Sequence, residues 1–149
     1  MKINDSFGIS SSALTAQRLR MDVISSNIAN AETTRAKIED GKAVPYRRKT
    51  VVMAPKEMDF DSALNSAMGK DASSQGVKIT KIQEDPSPFK PVYNPTHPDA
   101  DSEGYVYMPN IDILKEMVDM ISATRSYEAN VTALNASKAM FTKALQIGK

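Results

Sequence analysis

The sequence contains no cysteine and a single histidine, and both scarcities restrict its chemistry. Without thiols the chain can form no disulfide, no thiolate nucleophile and no zinc–thiolate site. His97 lies between two prolines in a loop, and no second histidine exists to complete a metal site or a proton relay. We therefore expect no catalytic centre and no metal site built on histidine or cysteine, and we interpret His97 as a loop residue with a hydrogen bond of its own.

Long apolar runs are also absent. Polar residues interrupt every window of membrane-spanning length, and no continuous apolar stretch follows Lys2 as it would in a cleaved signal peptide. We expect a protein that is cytoplasmic or leaves the cell by a route that needs no cleaved signal. The net charge of +1 gives no reason to expect nucleic acid, and the basic residues between positions 35 and 50 are interpreted as a solvated loop and strand face.

All eight prolines lie between Pro45 and Pro109, so both ends of the chain are free of them. This distribution divides the chain into a helical segment at residues 1–34, a proline-punctuated middle domain at 35–109 and a helical segment at 110–149. The predicted fold class is therefore mainly α with a small β-rich insert.

The N-terminal segment has helical periodicity from residue 9 to residue 32. Ile9, Val23, Ile24 and Ile28 fall on one broad face, and the serines at positions 10–12 could cap the start of the helix. A helix of this length would measure about 36 Å.

The C-terminal segment is a stronger helix prediction. No helix breaker occurs between positions 111 and 147, Asn110 is a favourable N-cap, and Gly148 follows as a stop. A helix of this length would measure about 55 Å. Apolar residues recur at alternating steps of three and four, so we expect the two terminal helices to pair as an antiparallel, coiled-coil-like hairpin. The predicted seam of the second helix consists of Ile113, Met117, Met120, Tyr127, Val131, Leu134, Phe141 and Leu145.

The middle domain is predicted to contain short strands and loops. Residues 46–53, 77–83 and 105–108 are rich in β-forming residues, residues 59–68 favour a short helix, and residues 69–76 favour a flexible loop.

Large apolar side chains are few for two helices of this length, with four phenylalanines, five tyrosines and no tryptophan. A lone copy of the chain is therefore expected to expose apolar helix surface or to leave its ends disordered, unless neighbouring subunits complete the core.

Asp99, Asp101, Glu103 and Gly104 fill the first, third, fifth and sixth positions of a calcium-loop pattern. The position that should carry a bidentate glutamate holds Asn110, so we interpret the segment as an acidic turn that leads into a strand. A small soluble metal-binding or adaptor module remains the alternative from another class of function.

Three segments carry a resemblance to a known family. Residues 11–33, with the core pattern S-x-N-x-A-N-A-x-T at 25–33, and residues 125–131, RSYEANV, resemble the terminal motifs of the flagellar rod and hook axial proteins. Residues 93–112 contain the passage G-Y-V-Y-M-P-N-I-D directly before the last helix, which is similar to the corresponding passage of the proximal rod proteins.

This resemblance implies a structural subunit of the flagellar basal-body proximal rod, which polymerises into a helical axial structure, transmits torque and is needed for motility. It also implies no catalytic activity, no metal and no cofactor. It implies export through the flagellar type III apparatus without a cleaved signal, and a final location in the periplasmic rod. The implied partners are further copies of the chain, other rod proteins, the export apparatus, the membrane ring and the bushing around the rod, with no nucleic acid and no small-molecule substrate. Another flagellar axial protein is the alternative within this class.

In such an assembly, apolar residues and amides of both terminal helices are predicted to pack between subunits. A buried amide is costly unless it finds partners, so the asparagines are expected to bond to backbone or neighbouring groups. The predicted packing residues are Leu14, Met21, Ile24, Asn27, Ile28, Asn30, Met117, Ile121, Arg125, Tyr127, Asn130, Val131 and Leu134.

Overall fold

The computed structural model describes residues 3–39, 42–56, 64, 68 and 75–147. Two long helices bracket a middle region of short strands, which confirms the fold class that the proline distribution predicted. The elements in chain order are α1 (Ile3–Ala29), β1 (Lys37–Glu39), β2 (Lys42–Val44), β3 (Lys49–Pro55), β4 (Val77–Glu84), β5 (Lys90–Tyr93), β6 (Tyr105–Met108) and α2 (Ile113–Ile147).

The described strands form three two-stranded sheets. Strand β1 pairs antiparallel with β2, with Lys37 opposite Val44, and β3 pairs with β4. Strand β5 pairs antiparallel with β6, with Tyr93 opposite Tyr105. The predicted strands correspond to β3, β4 and β6, whereas β1, β2 and β5 were not predicted.

The start of each helix differs from its predicted cap. Helix α1 already begins at Ile3, so Ser12 lies inside it and donates its hydroxyl to the carbonyl of Ile9 at 2.7 Å. In α2 the cap is Asp112, whose Oδ1 accepts the N–H of Leu114 at 3.0 Å. The prediction that Asn110 caps α2 was wrong, because its side chain is engaged by other backbone groups.

The predicted short helix at 59–68 and loop at 69–76 lie mostly outside the described residues. Within that stretch Leu64 is helical, and the N–H of Met68 donates to its carbonyl at 2.9 Å.

The chain divides into two compact units. Unit 1 comprises Met1–Leu19, Val52–Lys81 and Ser122–Lys149, and unit 2 comprises Arg20–Val51 and Ile82–Ile121. These units interleave distant parts of the chain. The division into segments 1–34, 35–109 and 110–149 stays a prediction about helix and strand content.

In unit 1, the buried apolar residues of the described chain are small, and a pair of serines joins α1 to α2. Ala16 and Ala123 are both buried, and the hydroxyl of Ser6 donates to that of Ser137 at 3.5 Å. Ser12 also attaches β4 to α1, because its Oγ accepts the N–H of Val77 at 3.1 Å. A Cβ on the preceding Gly76 would lie 2.5 Å from the same Oγ, so this approach requires glycine.

In unit 2, Val23, Ile24, Val106 and Ile111 form the apolar core. Two polar side chains are equally buried there, Asn27 and Glu116, each 1% exposed. Contacts between α1 and α2 in this unit follow an antiparallel order, with Asn27 against Glu116 and Arg20 against Asp119. Coiled-coil packing of the two helices stays a prediction.

Over the residues that the structure describes, neither helix is long and apolar enough to span a lipid bilayer.

Candidate assembly surface and the network that positions it

The first feature of the site in unit 2 is Asn27 of α1, the asparagine of the S-x-N pattern. Its Nδ2 donates to the carbonyl of Lys49 at 2.8 Å, and its Oδ1 accepts the N–H of Lys49 at 3.0 Å. Tyr46 donates its hydroxyl to the same Oδ1 at 3.3 Å. The side chain therefore satisfies a backbone donor and acceptor of the segment that enters β3, as a neighbouring strand would.

The second feature is the buried carboxylate of Glu116 in the first turns of α2. Its Oε2 accepts the second Nδ2 hydrogen bond of Asn27 at 2.9 Å, and its Oε1 accepts the Nε–H of Arg48 at 2.6 Å. Arg48 Nη2 lies 2.6 Å from the same Oε1. We refer to Asn27, Arg48 and Glu116 as the buried polar network.

Arg48 faces further negative charge in addition to Glu116. Its guanidinium lies 3.6 Å from a carboxylate oxygen of Asp85 and 3.5 Å from one of Asp119. Burial alone would lower the pKa of Arg48, but the hydrogen bond and charge of Glu116, with the charges of Asp85 and Asp119, outweigh it and raise the pKa. Arg48 thus stays positively charged at the centre of the site. Asp119 is also paired with Arg20 of α1 at 3.5 Å.

The backbone of Arg48 is held as firmly as its side chain. Its N–H donates to Oδ1 of Asn110 at 3.0 Å, and its carbonyl accepts the N–H of Asp85 at 2.8 Å. Asn110 in turn donates to the carbonyl of Ser87 at 3.3 Å. The asparagine of the P-N-I-D passage therefore connects the segment before β3 with the segment before β5.

These contacts correct the interpretation of the basic stretch as a solvated face only in part, because Arg35 and Lys37 are exposed as expected. Arg48 is engaged by Glu116, and Arg47 lies over the ring of Phe89 at 4.6 Å. Arg35 donates to the carboxylate of Asp99, whose other oxygen accepts the hydroxyl of Thr34 at 2.9 Å.

The loop with the calcium-like pattern is held by hydrogen bonds within the chain. The bonds from Arg35 and Thr34 lower the pKa of Asp99, and the carboxylate holds the segment that follows α1. His97 accepts the backbone N–H of Asp99 through Nδ1 at 3.1 Å, which agrees with its interpretation as a hydrogen-bonded loop residue. Within the described part of the chain, no three His, Cys, Asp or Glu side chains are grouped so as to hold a metal ion.

Strands β5 and β6 present aromatic residues to solvent. Tyr93 and Tyr105 are exposed cross-strand neighbours whose rings meet edge to face, with centroids 5.4 Å apart. Gly104 precedes β6 with a φ of 81°, and a Cβ there would lie 3.0 Å from the Tyr93 ring. Both observations require glycine at this position, directly before β6.

The largest apolar exposure in unit 2 lies on α2, next to Glu116. Leu114 is 76% exposed and Val118 is 66% exposed, and Met117 and Ile121 are exposed beside them. Their spacing of three and four residues places these side chains on one face of the helix. We call Leu114, Met117, Val118 and Ile121 the exposed α2 face. Such a contiguous apolar face is typical of a protein–protein contact surface.

Unit 1 carries a second apolar exposure near the end of α2. Met140, Phe141, Leu145 and Ile147 are all exposed there. The expectation that one copy of the chain exposes apolar helix surface is therefore confirmed for the described residues.

The predicted packing residues fall into three groups. In α1, Ile24 and Asn27 are already buried within one copy of the chain. In α2, Met117, Ile121 and Arg125 are exposed. The half-buried residues are Leu14, Met21, Ile28, Asn30, Tyr127, Asn130, Val131 and Leu134.

In the first turns of α2 the buried side chain is Glu116, whereas Ile113 and Met117 of the predicted seam are exposed. Sequence periodicity missed Glu116 and Arg48 because it assigns charged residues to solvent. The P-N-I-D passage did mark the neighbourhood, but nothing in it indicates which charge is buried. Asn30, just after the end of α1, and Asn130, within α2, each donate to the carbonyl four residues earlier, those of Ser26 and Ser126.

Comparison with known proteins identifies the kind of molecule that carries these features. Residues 8–37 match the family described as flagella basal body rod protein, and residues 102–147 match the flagellar basal body rod FlgEFG protein C-terminal family. The chain is 61% identical to the flagellar basal-body rod protein FlgC of Bacillus subtilis over 145 residues, which is 97% of each chain. It is 45% identical to FlgC of Borreliella burgdorferi, covering 99% of this chain and 98% of the relative, and 44% identical to FlgC of Escherichia coli O6:H1 over the full length of both.

These matches define a structural subunit of the flagellar basal-body rod rather than an enzyme. The apolar residues exposed near both ends of α2 agree with a subunit that assembles with others. Within that class, the chain belongs to the FlgC family.

Proposed function

We propose that this subunit joins the proximal part of the rod by burying the exposed α2 face against neighbouring rod subunits. The observation that carries the proposal is the exposure of four large apolar side chains, Leu114, Met117, Val118 and Ile121, on one helix face. Complete burial of a side chain of this kind contributes roughly 1.5–3 kcal/mol, so several together can offset the ordering of helix ends on assembly.

The remaining predicted packing residues take two roles in this proposal. Ile24 and Asn27 first stabilise unit 2 of a single subunit, since both are buried there. The exposed or half-buried residues, including Arg125, Tyr127 and Leu134, are the ones that remain available for contacts between subunits.

The wider assignment rests on family membership and on the layout of the chain. We propose a helical axial polymer in the periplasm that transmits torque and supports motility, with other rod proteins, the membrane ring and the bushing as neighbours. Export would proceed through the flagellar type III apparatus without removal of a signal. A small internal core suits this route, because little folded structure has to be lost and regained.

The proposal is tested by placing a charge on the exposed α2 face. Val118→Glu should leave the folded subunit intact, because its side chain does not contribute to the described core, but it should reduce the amount of subunit in purified basal bodies at least tenfold. Lys115→Glu is the matched control, since Lys115 is exposed in the same turn but lies off the apolar face.

The experiment measures the amount of subunit in whole cells and in purified basal bodies, together with the swimming of the cells. A normal cellular level with loss from basal bodies supports the assembly role. Normal incorporation of Val118→Glu together with normal swimming would refute the assignment of this face.

A further inference from the structure

We propose that the ion pair between half-buried Arg48 and buried Glu116 is a register key, meaning a pair of side chains that fixes the position of α2 along α1 in unit 2. The pair joins the segment before β3 to α2, while Asn27 joins that same segment to α1. All of these contacts lie within one copy of the chain, so they do not require a partner subunit.

Three distant parts of the chain meet in this network. Glu116 lies 89 residues from Asn27 and 68 residues from Arg48 in sequence, yet both donate to its carboxylate. The segment that carries Arg48 is fixed at its backbone. Asn27 bonds the N–H and the carbonyl of Lys49, and Asn110 accepts the N–H of Arg48. Arg48 therefore presents its guanidinium from a rigid position, and α2 must bring Glu116 to it.

Each alternative register loses a contact of this network or an ion pair beside it. If α2 moved one turn toward the start of α1, Val23 would take the place of Asn27, and it offers no donor. If Met120 took the place of Glu116, Arg48 would lose its strongest acceptor. If Asp119 did so, its pairing with Arg20 would be broken. Each one-turn displacement is disfavoured by a named loss of this kind.

Specificity, rather than stability, is the contribution that such a pair can make. Glu116 is buried and Arg48 is half-buried, so the desolvation of the pair offsets much of its attraction. Replacing such a pair with apolar residues is often neutral. By contrast, a buried polar contact between helices is the best-attested device for fixing their register. The exposed α2 face surrounds Glu116 in sequence, so the same pair determines where that face is presented.

The test measures one distance within unit 2. The chain has no cysteine, so Asp22→Cys and Lys115→Cys, both at exposed positions, can carry spin labels without background labelling. With the pair intact, pulsed electron–electron double resonance should give one narrow distribution of distances between the two spin labels. With Arg48→Met and Glu116→Leu together, we expect a second population displaced by up to about 5 Å, one helical turn, while the melting temperature stays within a few degrees.

Two further variants make the result specific. Arg48→Met alone should melt below the double variant, because it leaves Glu116 buried without its cation. Arg125→Met with Glu128→Leu removes an exposed ion pair of the same type from α2 and should keep the single distance.

A double variant with the same single narrow distance as the parent would overturn the register key. So would a broad distribution in the parent itself, because the network then fixes no register in the chain.

Discussion

The side chain of Asn27 and the main chain of Lys49 exchange two hydrogen bonds, at 2.8 and 3.0 Å. Through them, an asparagine in a helix satisfies the backbone at the start of a strand. The amide also reaches the carboxylate of Glu116, so all of its polar groups are used. Asn27 therefore joins α1 to the start of β3 and to α2, a role that the sequence motif alone did not reveal.

Replacement of Asn27 should therefore be costly. Asn27→Ala leaves the half-buried backbone groups of Lys49 and the buried carboxylate of Glu116 without the amide that bonds them. We expect the free energy of unfolding to fall by about 3 kcal/mol. Urea denaturation of the purified subunit measures the change. Asn30→Ala is the matched control from the same motif. Its amide bonds only to the nearby Ser26 and Thr33. The free energy of unfolding should therefore fall by only about 1 kcal/mol. Equal losses for both variants would contradict this role of Asn27.

The stability of unit 2 should decrease in acid. The hydrogen bonds of Arg35 and Thr34 lower the pKa of Asp99, and those of Ser87, with the charge of Arg48, lower the pKa of Asp85. A carboxylate whose pKa is lower in the folded state stabilises that state above its unfolded pKa, about 3.9, and this contribution is lost as the pH falls through the folded value.

The check is the free energy of unfolding measured at a series of pH values. We expect it to fall below about pH 5. Asp99→Asn should be less stable than the parent at neutral pH, and the difference should shrink in acid. Arg35→Gln should reproduce part of that loss from the other side of the pair. A difference that is constant with pH would count against the ion pair as its cause.

Two glycines should respond in opposite directions to the same substitution. Gly104→Ala forces a side chain into a backbone with a φ of 81° and against Tyr93, so we expect a loss of about 1–2 kcal/mol or more. Gly8 lies in α1, and nothing lies within 4 Å of a Cβ added there. Gly8→Ala should instead stabilise the subunit by about 0.5–1 kcal/mol. Thermal melts of the two variants distinguish the cases, and shifts of the same sign would be inconsistent with the backbone described.

Ser12 should matter more than its position on a helix surface suggests. Ser12→Ala removes the acceptor of the Val77 N–H, and we expect a loss of about 1–2 kcal/mol. Thr15→Ala is the control, because that hydroxyl bonds only to the carbonyl of Ser11 in its own helix. Hydrogen exchange of the Val77 amide gives the direct measurement, and unchanged protection in Ser12→Ala would show that the contact is unimportant.

Much of the fold followed from the sequence, because both helices lack breakers over most of their length. The prediction for α1 began six residues late, since an exposed glycine such as Gly8 weakens a helix without ending it. Strand β5 was missed because it contains Pro91. Proline is tolerated there since β5 has β6 as its only partner in a two-stranded sheet of the described residues.

The site was harder to predict than the fold. Met117 and Ile121 of the exposed α2 face are among the predicted packing residues, whereas Leu114 and Val118 were not predicted. Glu116 and Arg48 were not, because a carboxylate is buried only when its donors arrive from distant parts of the chain. No local pattern contains that information. The family motif did include Asn27, but it could not say whether the residue acts within a subunit or between subunits.

The most direct test of the central claim asks whether the exposed α2 face becomes covered in the rod. A single cysteine at Val118→Cys, in a chain without other cysteines, reports this through its reaction with a maleimide. We expect rapid labelling in the purified subunit, strong protection in intact basal bodies and full labelling once those basal bodies are denatured. Labelling in intact basal bodies as rapid as in the purified subunit would contradict the account.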